Sequence, residues 1–201
     1  DAWVRDLEAV VDSLELERFP LLGISQGAPI AIAYAVRHPE RVSHLLLYGG
    51  YLRGRLHRGL SPKDMDERDL MIRMVRVGWG QDHPAFRQVF TTLFIPDADR
   101  EQIAWFNELQ RVSATPENAA RMLESFDRID VRALAPRVQV PTLVLHAKGD
   151  LRVPFAEGRL IATSIPGARF VPLESRNHLL LESEPAWTRF LETVRDFLGV
   201  P

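Results

Sequence analysis

A serine held between two glycines, Gly23-Ile24-Ser25-Gln26-Gly27, stands where one apolar run gives way to another of different character. The run before it, Phe19-Pro20-Leu21-Leu22-Gly23-Ile24, is short and unbroken, which fits a strand covered on both faces. The run after it, residues 28–37, is rich in alanine and isoleucine, and Pro29 falls in a first helical turn where its missing N–H costs nothing. A sharp turn between a strand and a helix lifts a serine hydroxyl above the sheet edge, and flanking glycines let neighbouring backbone approach without a Cβ clash. The backbone N–H of Gln26, at the helix N-terminus, then points at a developing oxyanion. With 12 glycines in 201 residues, chance would give this pattern only about 0.03 times. The alternative, a glycine-rich turn with an idle serine, requires that coincidence.

The rest of the chain alternates in the same way. Trp3, Val4, Leu7, Val10, Val11 and Leu14 recur at helical spacing, which predicts a helix over 2–17. Breakers at His38-Pro39-Glu40 precede a second strand, residues 42–48, ending at Gly49-Gly50. From 51 to 136 only helical stripes follow one another, which predicts a helical cap inserted into the fold. Strand patterns resume at 140–146 and 169–173, with helices predicted over 155–163 and 185–198. Strands alternating with helices imply an α/β fold with a mostly parallel sheet, because parallel neighbours need crossover connections. Residues 1–50 and 137–201 form its core and 51–136 the cap.

A serine hydroxyl is a weak nucleophile near neutral pH and needs a histidine to take its proton and a carboxylate to orient that histidine. Asp150 follows the third strand and His178 the fourth, both in loops at the carboxyl ends of parallel strands, on the side where Ser25 emerges. Asp150 also fits a helix-capping turn residue. His178 is the one histidine of six placed after that aspartate; His38, His44, His57, His83 and His146 fit structural positions. No two histidines stand at i and i+4 and no acidic cluster has calcium-loop spacing, so no metal is expected, and residues 51–136 are not enriched in aromatic residues, so no cofactor is expected either. Trp79, Phe86, Phe90 and Trp105 are candidate substrate-lining residues in the cap. Arg53, Arg55, His57 and Arg58 form a basic cluster near the expected mouth; they fit a solvated loop, or a device that steers a carboxylate-bearing substrate.

Twenty-five Lys and Arg against 27 Asp and Glu leave no field of one sign for a nucleic-acid backbone or an anionic bilayer. The absence of cysteine excludes thiolate nucleophiles, disulfides and Cys-ligated metals, and fits a reducing cytoplasm. No run approaches the ~18 apolar residues of a membrane span. The expected partner is a small-molecule substrate or ligand, with no nucleic acid and no membrane.

The set formed by the serine pentapeptide, His38-Pro39-Glu40-Arg41-Val42, the helical insertion, Gly149-Asp150-Leu151-Arg152-Val153-Pro154 and Asn177-His178 resembles the α/β-hydrolase superfamily over essentially the whole chain. More narrowly, it is similar to hydrolase-like domains attached to bacterial winged-helix or LuxR-type regulators and nucleotide cyclases, which are similar in turn to cofactor-free esterases, enol-lactonases and perhydrolases. The resemblance implies Ser25 as nucleophile, His178 as base and then acid, Asp150 as orienter and the Gln26 N–H as an oxyanion donor. It implies a hydrolase of small ester- or lactone-like bonds, with a ligand-sensing regulatory domain as the alternative and perhydrolase chemistry as a third reading. Family members carry several strands before the helix that leads into the serine turn, whereas 24 residues precede Ser25 here. The fold's N-terminal strands are therefore expected to be missing, and the edge of strand 19–24 to pair with a preceding segment, a second copy or another chain.

Overall fold

The computed structural model describes residues 2–200. Its core is a parallel sheet of β1 (Phe19–Ile24), β2 (Val42–Tyr48), β3 (Thr142–Ala147) and β4 (Arg169–Leu173), in the spatial order β1-β2-β3-β4. Because every neighbouring pair is parallel, each strand must be followed by a crossover. Helix α2 (Gly27–Arg37) joins β1 to β2 and α7 (Phe155–Ser164) joins β3 to β4. Along with α1 (Ala2–Ser13), these helices bury Val4, Ile32, Ala35 and Ile161 against one face of the sheet. On the opposite face, α8 (Pro185–Leu198) packs Ala186 and Phe190 on Leu46, Tyr48, Leu143 and Leu173. Fully buried β3 and nearly buried β2 account for their unbroken apolar sequences.

Four helices separate β2 from β3: α3 (Pro62–Gly78), α4 (Ala85–Phe94), α5 (Arg100–Ser113) and α6 (Pro116–Asp127). Their starts are written locally. Ser61 and Asp64 cap α3 reciprocally, Asp99 and Gln102 do the same for α5, and Thr115 caps α6, with Pro62 and Pro116 in first turns. The group has its own small core of Ile72, Val75, Phe90, Ala119 and Ala120. Arg87, almost fully buried on α4, pins it by donating to the carbonyls of Trp79 (2.7 Å), Gln81 (2.5 Å) and Asn107 (3.0 Å). Arg87→Met leaves the Trp79 and Gln81 carbonyls, which lie outside the helices, without a donor, so urea denaturation is expected to show a loss of roughly 3 kcal/mol.

Three sequence expectations differ from the structure. Helix α1 ends at Ser13 rather than 17, since Glu15 takes a left-handed conformation (φ 52°) that no α-helix continues through. Strand β3 begins at Thr142, not 140; Pro141 has no N–H for the ladder, and its carbonyl accepts from Leu45 N instead. Strand β1 is not covered on both faces: it lies at the sheet edge, and Leu22 and Ile24, pointing away from α2, are 44% and 40% exposed. Helix α8 packs over β4 and its neighbours and leaves them bare. Among the described residues, no helix is long and apolar enough to cross a membrane.

Candidate active site

Ser25 sits between β1 and α2 with φ of 54°, in the left-handed region that costs a non-glycine residue on the order of 1–2 kcal/mol. The strain is held by its surroundings. Ser25 N donates to Tyr48 O (2.9 Å) at the end of β2, and Ser25 O accepts from Ala28 N (3.0 Å) in the first turn of α2. The two glycines of the pentapeptide are not equivalent. A Cβ at Gly23 would lie 2.7 Å from Gly27 O and 2.8 Å from Ala28 Cα, so only glycine lets α2 cross β1 this closely. A Cβ at Gly27 would meet nothing within 4 Å, so the expectation that both glycines relieve crowding holds for Gly23 alone. Gln26 precedes the first residue of α2, where N–H groups lack helical partners.

Asp150 and His178 meet beside the end of β2. His178 Nδ1 lies 2.7 Å from Asp150 Oδ2, and both side chains are wholly buried. The other carboxylate oxygen, Oδ1, accepts from the backbone N–H groups of Arg152 and Val153, each at 2.8 Å. With both oxygens occupied, the carboxylate cannot rotate away from the imidazole. Gly49 brings the two halves together: a Cβ there would stand 3.2 Å from His178 Cε1 and 3.7 Å from Asp150 Oδ2, while the preceding residue, Tyr48, holds Ser25 N. His178 Nε2 is buried and has no hydrogen-bond partner among the described residues, so the Ser25 hydroxyl is not bonded to it in this structure.

The histidine loop is anchored from both sides. His178 N and Leu179 N both donate to Phe94 O at the end of α4 (2.8 and 3.1 Å), and the Phe94 ring meets the imidazole edge-on at 5.2 Å. Asn177 accepts from Asp97 N through Oδ1 and donates to Glu184 through Nδ2, each at 3.1 Å, and its carbonyl accepts from the Tyr48 hydroxyl at 3.3 Å. Burial raises the Tyr48 phenol far above its usual range, so it remains a donor.

A cavity of about 280 Å³ opens between Ser25 and Gln26 on the sheet side and Trp79 with α4 to α6 on the other. Trp79 and Phe90, expected to line it, do so. Phe86 and Trp105 do not: Phe86 packs onto Gly78 at the end of α3, and Trp105 faces away, 63% exposed. The basic loop is not simply solvated, for Arg55 and Arg58 are cavity-lining residues and Arg53 pairs with the buried Glu157 at 3.2 Å. Phe94, Phe106, Asp127 and Arg152 complete the wall near the pair; no local sequence pattern singled them out, because they come from four separate segments. Among the described residues, no group of three or more His, Asp and Glu is placed to hold a metal.

A family model described as the alpha/beta hydrolase fold matches residues 1–185. The chain belongs to this family. Within it, the chain is similar to the pimeloyl-[acyl-carrier protein] methyl ester esterase of Neisseria meningitidis, with 26% identity over 96% of this chain and 62% of that protein. Among solved structures it is similar to an esterase from Exiguobacterium antarcticum (26% identity, TM-score 0.81, 98% of this chain and 72% of the other). It is also similar to the enol-lactonase of Burkholderia xenovorans (27% identity, TM-score 0.76, 98% and 71%). The chain therefore spans less than two thirds of the length of the curated esterase it matches.

A second histidine lies against the same carboxylate. His146 on β3, expected to be structural, is wholly buried; its Nε2 donates to Val153 O (3.0 Å) and lies 3.5 Å from Asp150 Oδ2, and its Nδ1 has no partner. Burial lowers its affinity for a proton, only partly offset by the Val153 carbonyl and Asp150. The unfolded chain takes up that proton near pH 6.5 while the folded chain resists, so stability is lost as pH falls from about 6.5 toward the lower folded value. The expected slope is at most about 1.4 kcal/mol per pH unit. Urea midpoints at pH 7.5 and 5.5 should differ less in His146→Leu than in the wild type.

Proposed function

We propose that this chain carries a serine hydrolase site that cleaves a small ester- or lactone-like bond through an acyl-enzyme on Ser25. The observation that supports this most is the buried His178–Asp150 hydrogen bond of 2.7 Å, which commits Nδ1 to the carboxylate and leaves Nε2 free to accept a proton. Ser25 Oγ attacks the carbonyl carbon as its proton passes to Nε2, and Asp150 stabilises the imidazolium that forms. The carbonyl oxygen becomes an oxyanion facing the Gln26 N–H at the start of α2. Collapse breaks the bond to the leaving oxygen, which takes the proton from Nε2. Water then attacks the acyl-serine, giving its proton to Nε2; collapse breaks the bond to Oγ, which takes that proton back, and the acid is released. The hydroxyl must close onto Nε2 for the first step, a contact that tightens once substrate is bound. Esterases and an enol-lactonase among the relatives support the bond class.

The test is covalent labelling with a serine-reactive alkyl phosphonate, read by peptide mass spectrometry. A mass increase on Ser25 that Ser25→Ala and His178→Ala both abolish is the expected result. An unlabelled Ser25 in the folded wild type would sink the proposal.

A further inference from the structure

The cavity beside Ser25 is lined by three guanidinium groups, Arg55, Arg58 and Arg152, and one carboxylate, Asp127. The carboxylate is already engaged, since Arg68 Nε holds Asp127 Oδ2 at 2.6 Å. Arg58 is engaged too: it lies over the Tyr51 ring (5.2 Å), donates to Arg53 O (3.0 Å) and approaches Glu157 (3.9 Å). Arg55 and Arg152 have no ion pair and no side-chain hydrogen bond among the described residues. The guanidinium of Arg152 rests on the face of Phe94, 5.7 Å from its centre, and its nitrogens are not sealed from the cavity. An ion taken partly out of water without a counterion is costly, and such a charge is normally paired or kept for a ligand.

We propose that this cavity binds a carboxylate through Arg152, with Arg55 as its second cation, so that the ester or lactone opened at Ser25 carries an acid group. The identity of the cleaved bond rests on the serine-hydrolase reading; the charge of the ligand does not. Burial and the neighbouring Arg55 charge, with a smaller push from Arg58, hold the Arg152 guanidinium below its ordinary range despite the opposing pull of Tyr51 and Asp127, a penalty that a bound anion relieves. The planar fork of an unpaired arginine matches a carboxylate in shape as well as in charge. Position agrees with this. The Phe94 ring touches Arg152 with its face and is packed edge-on with His178, so the acid group and the scissile carbonyl are divided by one aromatic ring. Phe90, Phe106, Met122 and Leu123 supply an apolar wall for the carbon skeleton between them.

The experiment compares kcat/KM for 4-nitrophenyl hemiglutarate and for 4-nitrophenyl 5-methylhexanoate, in which an isopropyl group replaces the carboxylate. The wild type is expected to favour the anionic ester about tenfold or more, and Arg152→Gln to bring the ratio down about tenfold. Arg55→Gln should lower it severalfold, and it carries the same test if Arg152→Gln does not fold. A wild-type ratio at or below one, or a ratio unchanged in the folded variants, overturns the proposal. Calorimetric titration of Ser25→Ala protein with glutarate separates the two readings. Binding that weakens about tenfold with Arg152→Gln upholds the anion site even if neither ester is cleaved and Ser25 resists the phosphonate; no binding, with no ester preference, refutes it.

Discussion

Ser25→Ala is expected to lower kcat/KM on a small activated ester by on the order of 10⁴-fold or more while leaving the fold intact. The hydroxyl is the proposed attacking atom, and no other described side chain stands at that turn with a nucleophile. His178→Ala should cost a similar factor, and the double variant scarcely more, because nucleophile and base act as one unit. A sum of the two losses in the double variant would show that they act separately. The φ of 54° adds a signature that a merely structural serine elsewhere would lack. Ser25→Gly removes the same hydroxyl and relieves strain of about 1–2 kcal/mol, less the ~0.5–1 kcal/mol by which glycine favours the unfolded chain. The inactive glycine variant should therefore melt slightly higher than the wild type, whereas the alanine variant should not.

The second large effect is at Asp150, where the replacement decides what is lost. Asp150→Asn keeps an oxygen for the Arg152 and Val153 N–H groups, so the loop should hold. Its amide cannot stabilise an imidazolium and favours the wrong tautomer of His178, so turnover is expected to fall about 10⁴-fold with stability changed by less than about 1 kcal/mol. Asp150→Ala removes the acceptor for both backbone donors and for His178 Nδ1 together, all in a buried place. That variant should be as inactive and also roughly 2–4 kcal/mol less stable by urea denaturation. Equal stability of the two would mean that Oδ1 does not organise the Asp150–Val153 turn.

Whether the wall around Ser25 could be foreseen depends on how local its cause is. The crossover from β1 through α2 depends on residues within a few positions of one another and was legible from spacing, whereas the equally local capping boxes at Ser61 and Asp99 were not among the expectations. The cavity is different. Trp79 and Phe86 lie on the same stretch of helices, yet one faces the cavity and the other fills the notch at Gly78, a choice made by how α3 crosses α4. Arg152 stands two residues from Asp150 and resembles any loop arginine until α4 places Phe94 beneath it. Arg55 and Arg58 fitted either a solvated loop or a steering device for the same reason.

Local chemistry thus dictated much of this protein before any tertiary contact was known: the serine turn, the alternation of strands and helices, and the order Ser25, Asp150, His178 along the chain. Period and turn preference act over a few residues, and a chain displays them openly. Packing alone decided the rest, namely that Asp150 and His178 share a buried hydrogen bond and that an unpaired arginine faces the cavity beside Ser25. Those outcomes depend on which side chains arrive together from segments dozens of residues apart, where neighbours in space leave no mark on neighbours in sequence.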